Sequence, residues 1–185
     1  MKKYKFTGET KTICLPFGTV TLHRIKAVVE FGLVKVGDLG GWIEKEENLS
    51  HEENAWVYGN AKVCGNAKVY GDAEVYGDAK VYGDAEVRGN AWVCGNAWVC
   101  GNAKVFSTDH VLVIGAIGSR NDFTTFFRDK DNEITVKCGC FLGKIDKFLE
   151  KVTQTHKDTK HTLAYRTAVE VAKLQIDLTE KSTRR

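Results

Sequence analysis

The sequence predicts a mainly β protein, a parallel β-helix with a β-rich cap before it and a small α+β module after it. Three observations predict this. A six-residue unit, Gly-(Asn/Asp)-Ala-x-Val-x, recurs from about Asn54 to Phe106. Segments with strand patterning precede it. After Phe106 the hexad stops, the composition changes, and the last third of the chain carries helix-period apolar residues. The expected boundaries are a cap over 1–41, the repeat over 42–107, a module over 108–178 and a flexible tail over 179–185.

The hexad explains its own fold. Ala stands at 55, 61, 67, 73, 79, 85, 91, 97 and 103, with Val two residues after each, so nine consecutive units carry both. Residues two apart on a strand share a face, so the Ala and Val of each unit point one way and the residue between them points the other. Gly followed by Asn or Asp supplies residues that tolerate positive φ, which lets the chain turn after each short strand. Three strands and three corners close one coil, and stacked coils pair equivalent strands about 4.8 Å apart over a buried Val and Ala column. Nine hexads make three coils. Ile43 and Leu49 fall on the Ala positions of two weaker hexads upstream, so the coil is expected to begin near Gly41.

Thr19 to Arg24 and Ala27 to Val34 read as strands of a cap that covers the first coil, with Trp42 as a packing plug beside Gly40 and Gly41. Past Phe106, Val111 to Ile114 reads as a strand and Gly115 to Asn121 as a loop. Phe123 to Arg128 and Glu133 to Cys138 read as a hairpin across Asp129–Asn132. Two helices follow, the first with Ile145, Phe148, Leu149 and Val152 on one face. The second starts near Thr159 and carries Tyr165, Ala168, Val169, Ala172 and Ile176.

Composition narrows the function classes. The 27 Lys and Arg against 24 Asp and Glu leave a net charge of +3, too little to argue for nucleic acid or an anionic membrane. No apolar run is long enough to span a bilayer, and the polar N-terminus does not read as a signal peptide, so a cytoplasmic location is expected. The six cysteines lack disulfide-scaffold spacing and read as thiols.

The hexads resemble the left-handed β-helix of the hexapeptide-repeat acyltransferase superfamily, whose aliphatic residue and following small residue correspond to Val57 and Ala61. That resemblance implies left-handedness, and acyl transfer if the chemistry is present. The segment Gly37–Glu44, Asn48-Leu49-Ser50 and the following units look closer to bacterial and phage proteins labelled putative transferases or polymer-forming proteins. Gly118–Asp122, Thr124-Thr125 and Cys138–Phe141 are similar to a C-terminal module of phage and prophage proteins. None of these resemblances brings a catalytic residue.

In the superfamily a His beside the coil serves as general base, and the acyl donor lies between protomers of a trimer. The regular hexads here contain no His and no inserted loop, and His51 sits at the irregular start of the coil. The outward residues are more informative. Eighteen-residue spacing stacks Trp56 with Glu74 and Trp92, Lys62 with Lys80 and Trp98, and Tyr58 with Tyr76. Trp56, Tyr58, Tyr76, Trp92 and Trp98 are the candidate interface of a homo-oligomer, a dimer or trimer. Ser119, Arg120, Asn121, Asp122, Thr124 and Thr125 are the candidate ligand-binding residues, because a Gly-rich turn offers backbone N–H groups, hydroxyls and a guanidinium to an anion. Cys138 and Cys140 with His156 and His161 fall short of a zinc site, since Cys-x-Cys replaces the usual Cys-x2-Cys. A Cys140–His156 nucleophilic pair lacks a third, orienting residue. The expectation is a non-catalytic binding or scaffold protein without metal or cofactor. Its partner would be a host protein or a small, nucleotide-like anion, in an accessory or counter-defence role of a phage or prophage. Acyl transfer from acyl-CoA and a purely structural polymer are the alternatives.

Overall fold

The structure is a computed structural model that describes residues 1–16 and 18–179. It is mainly β, a parallel β-solenoid of about four turns followed by a small module of an antiparallel sheet and two helices. An antiparallel hairpin, β1 (Tyr4–Leu15) and β2 (Gly18–Ala27), leads to β3 (Leu39–Ile43). The repeat forms nine two-residue strands: β4 (Trp56–Val57), β5 (Lys62–Val63), β6 (Lys68–Val69), β7 (Glu74–Val75), β8 (Lys80–Val81), β9 (Glu86–Val87), β10 (Trp92–Val93), β11 (Trp98–Val99) and β12 (Lys104–Val105). They stack as three parallel sheets, β3-β5-β8-β11, β4-β7-β10 and β6-β9-β12, with β1 and β2 extending the first. Every Ala and Val of the nine hexads is buried.

The corners show why glycine recurs. Gly83 has φ +74°, and a Cβ there would lie 2.9 Å from the Gly101 amide of the next coil, so only glycine lets the coils close to strand spacing. Two of the three corner columns also carry side-chain bonds between coils, Asn54 to Asp72 at 2.8 Å and Asn66 to Asp84 at 3.0 Å. Each Asn amide donates to the carboxylate below it.

The first coil departs from the sequence reading. Ile43 pairs with Val63 and Leu49 with Val69, twenty residues apart instead of eighteen. Ile43 and Leu49 therefore occupy Val positions, not Ala positions. The two extra residues fall in the corner between Leu49 and Ala55, where Glu53 takes φ 55°.

The cap differs too. Tyr4–Leu15 is a strand that the sequence reading missed, whereas residues 28–34 turn back on themselves instead of continuing a strand. The hairpin and this turn cover Trp56, which is 1% exposed and packs edge-on against Tyr4 and Phe31 at 6.0 and 5.3 Å. The expected interface role of Trp56 is thereby overturned, because the cap already occupies its outward face. Buried Lys3 closes the irregular corner, its Nζ donating to the carbonyls of Glu52, Glu53 and Ala55.

The module comprises β13 (Val111–Ile117), β14 (Asp122–Arg128), β15 (Ile134–Cys138) and β16 (Phe141–Lys144), then α1 (Ile145–His156) and α2 (Lys160–Gln175). The hairpin and both helices stand where their patterns place them. β13 runs on into the expected loop, leaving a turn over Gly118–Asn121, and β16 was not foreseen. Phe126, Val136, Phe148, Tyr165 and Val169 form the module's own core, while Phe127 on the opposite face of β14 joins the core of the solenoid. The module caps the last coil: Lys130 donates its amide to the Asn102 carbonyl at 3.0 Å, and the Trp98 amide donates to Thr125 Oγ1 at 3.0 Å. The expected tail lies, apart from Thr179, outside the described residues. No helix among the described residues is long and apolar enough to cross a membrane.

Candidate functional site

One outward column of the solenoid runs Trp42, Lys62, Lys80, Trp98, each in register with the next. Parallel stacking puts these side chains on one face, two lysines between two indoles. At the lower end the module folds back over this face through Asp122, Phe123, Thr125 and Lys137, and Ile13 of the hairpin flanks it. The result is a cleft of about 390 Å³ lined also by Asp78 and Asn96 of one corner column. That volume falls within the range of small-ligand sites.

Its electrostatics are dominated by like charges held together. Lys80 and Lys137 place their ammonium groups over the Trp98 ring, 3.9 and 4.8 Å from its centroid. Lys62 Nζ donates to the Asn60 carbonyl at 2.7 Å, and Lys137 Nζ donates to the Gly139 carbonyl. An ammonium has three donors, so each lysine keeps hydrogen-bonding capacity for a ligand. Burial lowers the Lys80 pKa, helped by the charges of Lys62 and Lys137. At the upper end, Lys11 lies 3.9 Å over the Trp42 ring, and burial, with Lys62 and Arg24 adding to it, pulls its amine down to about 8. Trp42 Nε1 and Arg24 Nε are buried donors with no acceptor among the described residues. The cleft itself is lined by three lysines, Lys62, Lys80 and Lys137, against Asp78 and Asp122, one net positive charge beside the Trp98 indole and Phe123, with Lys11, Arg24 and Trp42 outside its lining. Such an arrangement offers charged donors to an anion and acceptors to hydroxyl or amine groups.

The sequence-derived ligand residues divide. Ser119, Arg120 and Asn121 sit on the exposed Gly118–Asn121 turn, and Asp122 reaches the cleft. Thr124 and Thr125 lie buried inside β14 and do not join the turn, but Thr125 lines the cleft beside Asp122. Thr124 Oγ1 meets Cys138 Sγ at 3.3 Å, and Thr125 Oγ1 accepts the Trp98 amide. Lys62, Lys80, Asn96 and Lys137 were not singled out as ligand-binding residues. The Lys62–Lys80–Trp98 stacking was legible from the eighteen-residue spacing, whereas Lys137 carries no signal in the sequence.

Of the other candidate interface residues, Trp98 is half-buried between coil and module, Tyr58 and Tyr76 are half-buried, and Trp92 is 51% exposed. Histidine does not serve the cleft: none lines it. His51 stacks on Tyr4 at 4.2 Å and accepts the Lys3 amide at its Nδ1, and its pKa is lowered by burial. His110 Nδ1 accepts the Phe106 amide at 3.1 Å. His156 and His161 stand with ring centroids 5.8 Å apart. Among the described residues no group of three His, Cys, Asp or Glu side chains is placed to hold a metal.

Fold and cleft together define a capped parallel β-solenoid with a cationic recess under its terminal module. Over 62 residues the chain is 37% identical to a protein of Escherichia coli (strain K12) described as the uncharacterized acetyltransferase YdcK. That stretch is 31% of this chain and 19% of YdcK, so the chain matches about a fifth of the length of this curated relative. No known protein-family pattern matches the chain.

Proposed function

We propose that this protein is a ligand-binding β-solenoid whose cleft between the Lys62–Lys80–Trp98 column and the C-terminal module takes a small anion of nucleotide size. One observation carries the reading: Lys62, Lys80 and Lys137 converge on one recess although their charges repel, and burial first, with the Lys62 and Lys137 charges behind it, lowers the Lys80 pKa. Phosphate oxygens fit the lysines, Asp78 and Asn96 suit hydroxyl or amine groups, and Phe123 and Trp98 offer apolar surface to a base.

Acyl transfer is the second reading, favoured by the similarity to YdcK. It requires a base within reach of an acceptor, and no histidine lines the cleft. A structural polymer is disfavoured by the Lys3 and Tyr4 cap at one end of the solenoid and the module at the other.

Thermal denaturation with ADP, inorganic pyrophosphate or acetyl-CoA separates the readings. A ligand at a hundred times its Kd stabilises by about 2.7 kcal/mol. The binding reading expects stabilisation by ADP and no free CoA, by chromatography, from acetyl-CoA incubated with amine or hydroxyl acceptors. CoA released in step with acceptor acetylation would replace it with acyl transfer.

A further inference from the structure

A second recess, of about 340 Å³, lies within the C-terminal module beside the Gly118–Asn121 turn and shares Asp122 and Gly139 with the cleft. Its floor is apolar: Phe141, Phe148, Val152 and Tyr165, with the Phe148 ring packed edge-on against Tyr165 at 5.4 Å and tilted against Phe141 at 5.3 Å. Arg120 and Lys151 stand at its rim, both exposed and without an ion-pair partner among the described residues. The guanidinium of Arg120 lies against Gly139, where an added Cβ would come within 2.9 Å of Nη1, so glycine leaves room for the arginine at the mouth. Asp122 also lines the recess, and two cations less one carboxylate leave one net positive charge.

An apolar floor under a rim with one net positive charge matches an amphipathic monoanion. We propose that this recess binds a linear fatty carboxylate, its chain against Phe141, Phe148, Val152 and Tyr165 and its head group paired with Arg120 and Lys151. The chain displaces water from aromatic and aliphatic surface at roughly 25 cal/mol per Å², and the guanidinium pairs with the planar carboxylate. A dianionic head is matched less well, because Asp122 opposes the second charge.

Calorimetric titration of the full chain with decanoate, 1-decanol and decyl phosphate tests this. Decanoate is expected to saturate one site per chain, and decanol to bind about tenfold or more weakly. Arg120→Gln and Lys151→Gln, both at exposed positions, should each weaken decanoate severalfold, and Thr155→Trp, at an exposed lining position, should abolish binding by filling the recess with the thermal transition intact. The proposal is overturned if decanoate does not saturate on the wild type, or if Thr155→Trp and the rim variants bind it as the wild type does. Decyl phosphate binding more tightly than decanoate would overturn the monoanion assignment.

Discussion

Lys3 Nζ donates to the Ala55 carbonyl at 2.7 Å, joining the third residue of the chain to the corner where the solenoid departs from its eighteen-residue period. The same ammonium reaches the Glu52 and Glu53 carbonyls and lies 4.7 Å over the Phe31 ring. Burial lowers its pKa to about 8, against the pull of Glu53 and Asp72. Methionine keeps the stem but strands carbonyls that water cannot fully reach. Lys3→Met should cost about 2–3 kcal/mol, read as a lower urea midpoint with an unchanged slope.

Gly83 and Gly95 have similar backbones, φ +74° and +63°, yet different surroundings. A Cβ at Gly83 meets the next coil, whereas at Gly95 nothing lies within 4 Å. Gly95→Ala should cost about 1 kcal/mol, the strain of a left-handed alanine. Gly83→Ala should cost about 3 kcal/mol, because coil separation adds to that strain. Equal losses in denaturant melts would mean that coil contact contributes nothing.

Asp129, 4% exposed, organises the start of the β14–β15 turn beside the last coil. It accepts the amides of Asp131 and Glu133 at 3.0 and 3.2 Å and the Thr135 hydroxyl at 2.6 Å, and it pairs with Lys144. Burial raises its pKa, but these partners outweigh burial and hold it below the ordinary value of 3.8. A depressed carboxyl contributes stability that is fully present above its unfolded pKa and lost as pH falls through the folded one. Asp129→Asn should cost about 2 kcal/mol at neutral pH, and the loss should shrink in acid melts below pH 3.8.

The lysines of the cleft set a pH dependence for anion binding. Protonated amines bind the anion, and Lys80, which lines the cleft, has its pKa lowered by burial and by the neighbouring Lys62 charge, so it gives up its proton before an ordinary lysine does. Affinity for ADP should therefore decline with rising pH already below 10.5, the ordinary lysine value, and Lys80→Gln should flatten that part of the profile. A titration series across this range reads both.

The strict period of Ala and Val made the solenoid legible, since burying one face fixes every register choice. Its first coil was not, because the two residues inserted before Ala55 leave no pattern of their own. Trp56 looked outward by alternation, and alternation held. What covers it is β1, whose partner face exists only once the hairpin folds onto the coil. The two helices were legible from their apolar spacing, whereas β16 is four residues with no alternation that separates it from a turn. Half of the cleft was visible as the Lys62, Lys80, Trp98 column. Lys137 and Phe123 join it only through the docking of the module, which no local pattern encodes.

The cleft is tested most directly by calorimetric titration of ADP into the wild-type chain and into the Lys62→Gln, Lys80→Gln, Lys137→Gln triple variant. Saturation at one site per chain in the wild type, with affinity reduced about a hundredfold or more in a variant that retains its cooperative melt, is expected. Equal affinity in both, or no saturable binding to the wild type, would contradict an anion site at this cleft.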